Sequence, residues 1–161
     1  MSNDIKACTA TLSLPDPAAT EALGARIAAG IGEGDLVALE GDLGAGKTTL
    51  ARAILRALGV TGAVPSPTFT LVQHYETARL PISHYDLYRI QQADEIDELG
   101  LDEALANGAA LVEWPDRAGD RLPPNALRIA LTSSGPSARS ATIQGPKRWA
   151  PYFSEASVHA G

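Results

Sequence analysis

Cysteine is almost missing from this 161-residue chain, where Cys8 stands alone. A single thiol excludes an internal disulfide and a cysteine-built zinc site, and it suits a reducing compartment. Long apolar runs are missing too. No stretch approaches 18 consecutive apolar residues, so no transmembrane helix is expected. The opening segment MSNDIKACTA lacks an apolar core, so no secretory leader is expected. An excess of positive charge is also absent. Thirteen Lys and Arg face nineteen Asp and Glu, a net charge of −6. That balance argues against a general nucleic-acid binder, which needs basic surface against phosphates. These absences together read as a soluble cytoplasmic protein with no membrane and no DNA partner. The imbalance is local, because residues 1–120 carry −10 and residues 121–161 carry +4.

The apolar content, 45% of residues, is enough for a core, and the length fits one domain over 1–161. Ile5–Leu14 alternates as an edge strand does. Thr20 precedes a helical pattern over Glu21–Ile31 and is placed as its N-cap, with the cluster Gly30, Gly32 and Gly34 ending it. Leu36–Glu40 reads as a buried strand. Lys47–Leu58 reads as an amphipathic helix closed by Gly59. This strand–loop–helix unit begins an α/β fold. Two prolines hold Val64–Pro67 extended. Phe69–Tyr75 and Ile82–Tyr88 read as strands around a turn at Thr77–Pro81. Asp94–Ala106 reads as a helix that Gly100 breaks or kinks. Ala109–Trp114, apolar except for Glu113, reads as a central parallel strand. Leu127–Thr132 and Ser140–Gln144 are weaker strands about a Gly135–Pro136 turn. Lys147, Arg148 and Trp149 form a small basic-aromatic cluster, read as part of a solvated tail.

Gly41-Asp42-Leu43-Gly44-Ala45-Gly46-Lys47-Thr48 matches G-x4-G-K-[ST]. Glycines let such a loop curl so that its N–H groups face phosphate oxygens, and the following helix adds its positive end. Lys47 is expected at the terminal phosphates and the Thr48 hydroxyl on Mg²⁺. Asp42 would repel a nucleotide if it turned inward, so its carboxylate is expected to point out. A metal-linked acid is needed at a neighbouring strand end. Glu113 and Asp86 qualify, the alternative for each being a pair with an arginine such as Arg89 or Arg117. No Asn-Lys-x-Asp guanine reader is present, which favours ATP. Arg89 and Arg52 are candidates for an arginine finger, though a surface or structural role is the better reading for each. His84 reads as a core residue or one that supports a catalytic group. Six acids and no base occupy residues 94–103, a solvated face or a docking surface for a basic partner.

Five segments stand in order: GDLGAGKTT at 41–49, SPTFT at 66–70, HYDLYR at 84–89, ELGLDE at 98–103 and EWP at 113–115. Together they resemble the bacterial TsaE family, formerly YjeE, over roughly residues 20–132. The tail over 133–161 has no such motif. The resemblance implies one P-loop NTPase domain with a mixed, largely parallel central sheet flanked by helices. It implies binding of ATP with Mg²⁺, weak hydrolysis alone, and action on a TsaB–TsaD heterodimer that modifies adenosine 37 of tRNA, so that tRNA is met only through that complex. It gives Lys47 and Thr48 their loop roles, sets Thr49 beside the phosphates, and makes Glu113 the metal-associated glutamate. It makes Asp86 and Trp114 functional, and puts Thr20 near the adenine. Ser66-Pro67-Thr68 would suit a segment that senses the terminal phosphate. Two other classes compete: a small P-loop kinase, for which Arg117–Arg121 is a weak lid candidate, and a nucleotide-gated interaction module that needs no hydrolysis.

Overall fold

The computed structural model describes residues 8–136 and 138–153. Ile5 to Ala7 of the expected first strand lie outside these residues, as does the tail beyond Phe153. The elements follow one another as β1 (Cys8–Leu14), α1 (Pro17–Gly30), β2 (Leu36–Glu40), α2 (Lys47–Ala57), β3 (Val72–Glu76), β4 (Pro81–Asp86), α3 (Leu101–Asn107), β5 (Ala109–Glu113), β6 (Leu127–Ser133), β7 (Arg139–Gly145) and α4 (Ala150–Phe153). Short 3₁₀ segments fill Ala93–Leu99, Pro115–Arg121 and Lys147–Trp149.

The strands form one seven-stranded sheet in the order β1-β7-β6-β2-β5-β4-β3. Its centre, β6, β2, β5 and β4, is parallel. Both margins turn antiparallel, at β1–β7–β6 and at β4–β3. The mixed, largely parallel sheet expected above is therefore present. Alternation along the central strands feeds two cores. Val37 and Leu39 of β2, with Ala109 and Leu111 of β5, meet α1 and α2 on one face. Leu36, Ala38, Ala110 and Val112 meet the 93–122 region on the other. Burial on both faces is why these strands read as continuous apolar runs.

Several expected boundaries move. The N-cap of α1 is Asp16, whose carboxylate accepts the Ala19 N–H at 2.9 Å, with Pro17 at the first helical position. Thr20 lies inside the helix and is buried. At its C-terminal end, α2 closes as expected, with the Val60 N–H on the Leu55 carbonyl and the Gly59 N–H on that of Arg56. β3 begins at Val72 rather than Phe69, because Leu71 is left-handed (φ 72°) and returns its N–H to the Pro67 carbonyl. Gly100, at φ 73°, does break the 93–107 helical stretch in two. Trp149 is no part of a solvated tail. It is buried against Tyr152 and Phe153, under Gly30 of α1, while Arg148 pairs with Asp35. Arg79, at the β3–β4 turn, donates to the Ala28 and Ile31 carbonyls at the end of α1. Among the described residues no helix is long and apolar enough to cross a membrane.

Candidate functional site

Parallel register brings the carboxyl ends of β2, β4 and β5 level, the edge where ligands bind in open α/β sheets. Leu39 of β2 and Asp86 of β4 both pair with Glu113 of β5. The loop 41–46 leaves β2 at this edge and feeds α2. Gly46 caps α2 at φ 106°, a conformation that a side chain would strain. A Cβ on Gly41 would stand 2.6 Å from the Leu131 carbonyl oxygen, so the loop can leave the sheet there only as glycine.

Lys47 is buried. Its Nζ donates to the Gly41 and Asp42 carbonyls at 2.5 and 2.8 Å and lies 4.1 Å from the centre of the Trp114 ring. Burial lowers its pKa, against the opposing pull of Glu113, Asp86 and Asp42. The Thr48 hydroxyl donates to the Glu113 carboxylate, 2.9 and 3.0 Å from its two oxygens. His84 Nε2 lies 2.7 Å from Glu113 Oε2, and both side chains are buried. Asp86 accepts from the Thr68 hydroxyl at 2.9 Å and from the Tyr88 N–H at 3.0 Å. Ser66 and Thr68 hydroxyls share a further bond at 2.8 Å. Neither acid takes an arginine in these contacts, in contrast to the alternative open to them from sequence.

A cleft of about 320 Å³ is bordered by Leu43, Gly44, Gly46, Lys47, Thr48 and Thr49 on the loop side, while His84 stays behind it, fully buried. Thr68, Asp86, Tyr88, Glu113, Trp114 and Arg139 complete it. Trp114 is left-handed (φ 59°) and packs on Tyr88 with ring centres 4.9 Å apart. Thr20 and Ala45 line a second cavity of about 240 Å³ with Leu14, Pro17, Leu131 and Pro136, and this cavity shares Gly46, Thr49 and Arg139 with the first. The expected site residues thus divide between two adjoining cavities. Asp42 is exposed and borders neither, as its charge requires. Arg52 and Arg89 line neither cavity. Arg52 bonds the Val64 carbonyl and Arg89 lies over Phe69. The weak lid candidate is tied down, with Arg117 against Tyr88 and Arg121 on Asp97. Sequence pattern alone did not single out Tyr88 or Arg139 as cleft residues. Arg139 enters from a strand 95 residues beyond Gly44, and no local signal marks it.

A glycine loop between a parallel strand and a helix, with a buried acid from the next strand on the loop threonine, defines a P-loop NTPase fold and site. The family model described as "Threonylcarbamoyl adenosine biosynthesis protein TsaE" matches residues 14–141. The chain belongs to the TsaE family. It is similar to "tRNA threonylcarbamoyladenosine biosynthesis protein TsaE" of Bacillus subtilis, 41% identical over 129 residues that cover 80% of each chain. A protein of the same name from Streptomyces coelicolor is 39% identical over 147 residues, 86% of this chain and 98% of that one. The crystal structure of Bacillus subtilis YdiB superposes with a TM-score of 0.79 at 33% identity, covering 98% of both chains.

Proposed function

We propose that this chain binds ATP with Mg²⁺, hydrolyses it slowly alone, and serves threonylcarbamoyladenosine formation on tRNA by acting on a TsaB–TsaD pair in the cytoplasm. The observation that carries the chemical part is the hydrogen-bonded chain Thr48–Glu113–His84, its two inner members buried. It joins the phosphate loop to an acid that has no apolar reason to lie at a strand end. The pathway assignment rests on the names of the relatives. Among the described residues no group of three or more His, Cys, Asp or Glu could hold a metal, so the ion would share its ligands with phosphate and water.

Thr48 and Glu113 would hold Mg²⁺, which when bound neutralises charge on the phosphates. Lys47, resting on two loop carbonyls, would exchange them for phosphate oxygens and oppose charge that builds during transfer. Loop N–H groups from Leu43 to Thr49 would fix the phosphates. His84 orients the Glu113 carboxylate. Asp86, through Thr68, would hold the 66–70 segment at the terminal phosphate. Trp114 covers Lys47 and excludes water from it. Thr20 would meet the adenine in the second cavity.

The test is ATP hydrolysis measured with and without purified TsaB–TsaD. Slow turnover alone and a clear rise with the pair is the expected result. No turnover in either condition refutes the ATPase, and turnover indifferent to the pair refutes the partnership.

A further inference from the structure

β3 ends the sheet on its side, with β4 as its one neighbour among the described residues. The register pairs Val72 with Tyr85 and Gln73 with His84, and the Asp86 N–H reaches the Leu71 carbonyl. In an antiparallel ladder this phase turns the N–H and C=O groups of Gln73 and Tyr75 toward β4 and those of Val72, His74 and Glu76 outward. Among the described residues no backbone bond outside the ladder reaches these outward groups. The strand, VQHYE, has neither proline nor lysine, two residues that commonly block strand addition at a sheet edge.

A cavity of about 350 Å³ lies beside this edge, between the β3–β4 hairpin and α3. Ser83, 6% exposed, lines it, with its hydroxyl 2.8 Å from His74 Nδ1. Glu76 enters from the strand and Glu103 from the first turn of α3, and no lysine or arginine is in the lining. A second cavity of about 230 Å³ shares Gly100 and Glu103 with the first and adds Asp97 and Asp102. Among the described residues Glu76, Asp102 and Glu103 are in none of the ion pairs. The bases of this region are spent, Arg121 on Asp97 and Asp120, and Arg79 on the carbonyls that end α1. Neither cavity shares a lining residue with the cleft of Lys47.

An open strand edge is a template for one more strand, and alternate side chains of the added strand fall on one face of the sheet. Charge selects the occupant. A second copy offering its own β3 would bring two sets of unpaired carboxylates together, and like charges across a strand pair are unfavourable. A strand with lysine or arginine at alternate positions would set them against Glu76 and Glu103 instead. We infer that β3 accepts an extended, basic segment of a partner protein as an added strand. Main-chain bonds would form to Val72, His74 and Glu76, and the basic side chains would enter the cavity between the hairpin and α3. The surface is separate from the nucleotide cleft, so it stands or falls independently of the ATPase reading.

A short labelled peptide of alternating lysine and valine, titrated against the full chain by fluorescence anisotropy at physiological ionic strength, tests it. Two controls accompany it: the same peptide methylated on every backbone nitrogen, and a peptide of alternating glutamate and valine. Each control is expected to bind about tenfold more weakly or worse, the worth of two main-chain bonds or of reversed charge. The double variant Glu76→Gln with Glu103→Gln should bind the lysine peptide about fivefold more weakly, while its melting temperature and its affinity for Mg·ADP stay at wild type. In amide exchange followed by NMR, saturating lysine peptide should slow Val72, His74 and Glu76 about tenfold, and Gln73 and Tyr75, already bonded to β4, should change little. Equal affinity for the methylated peptide leaves charge attraction without strand addition and overturns the inference. Equal affinity for the glutamate peptide, or no loss in the double variant, overturns the basic occupant. Absence of binding, or protection elsewhere than β3, overturns the site. Protection of the same three amides without peptide, growing with protein concentration, makes the occupant a second copy and overturns it too.

Discussion

Glu113 and Asp86 stand side by side at the ends of β5 and β4, paired in register and almost equally buried. Their connections differ. Glu113 is held by Thr48 in the first turn of α2 and by His84 inside β4. Both partners belong to regular elements, so this carboxylate inherits the rigidity of the sheet and helix. Asp86 is held by Thr68 and by the Tyr88 N–H, both outside regular elements. Loops occupy the low-stability end of a structure, and what binds them can follow their movement. One acid is therefore fixed in place, and its neighbour is coupled to a segment able to rearrange. On the function proposed above, the first would hold the metal and the second would sense the terminal phosphate.

Lys47 shares the cleft with both acids, and its replacement should have the largest effect. Lys47→Met is expected to abolish ATP turnover and to weaken ADP binding by a hundredfold or more, about 3 kcal/mol. Its stability should behave in the opposite sense. Burial holds the Lys47 pKa below its ordinary 10.5, so the folded chain binds that proton less tightly than the unfolded one. The cost is complete below the folded pKa and fades as pH rises toward 10.5. Melting curves should show Lys47→Met closest to, or above, wild type near neutral pH and losing ground in alkali. A constant difference across pH would remove the charge-burial account.

Glu113→Gln keeps the shape and removes the charge. Turnover should fall about a hundredfold, and ADP affinity should lose most of its dependence on Mg²⁺. The melting temperature should hold, because neutralising one member of a buried polar cluster relieves desolvation. Retained Mg²⁺ dependence would break the contrast between the two acids. Asp86→Asn should cost turnover about tenfold while ADP affinity changes less than threefold, since the proposed role of the loop it holds is at the terminal phosphate. An ADP loss equal to that of Glu113→Gln would make the two acids equivalent. Thr68→Ala should be mildest, a severalfold loss of turnover from one hydroxyl bond. It should also add little to Asp86→Asn in the double variant, because the two share that bond.

Elements whose causes are local were legible in the sequence. The phosphate loop needs eight consecutive residues, and β5 reads as central because both its faces are covered. Glu113 and Asp86 could be picked out because an acid ending an apolar strand needs a partner. His84 was expected as a core or supporting residue, and it supports Glu113. Other features depend on distant contacts. Thr20 looked like a cap, yet Asp16 followed by Pro17 makes the better start, and the Asp-Pro pair was the available signal. The left-handed turn at Leu71 keeps Phe69 out of β3, and no glycine advertised it. Trp149 looked exposed beside two basic residues, but Gly30 leaves room for its ring against α1. Arg139 meets the loop only because β7 lies across the sheet from β2 with β6 between them.

The bond from Arg79 to the end of α1 has a consequence for how this molecule breathes. A hairpin at a sheet margin is where amide exchange ordinarily begins, since few contacts must open. Here the tip of the β3–β4 turn cannot lift without uncapping carbonyls that lie 48 and 51 residues away in the chain. Opening at that margin is thereby coupled to fraying of α1 by two hydrogen bonds, each worth about 1 kcal/mol. The helix that carries Thr20 and the hairpin that carries Asp86 are therefore tied at one end, although they border different cavities.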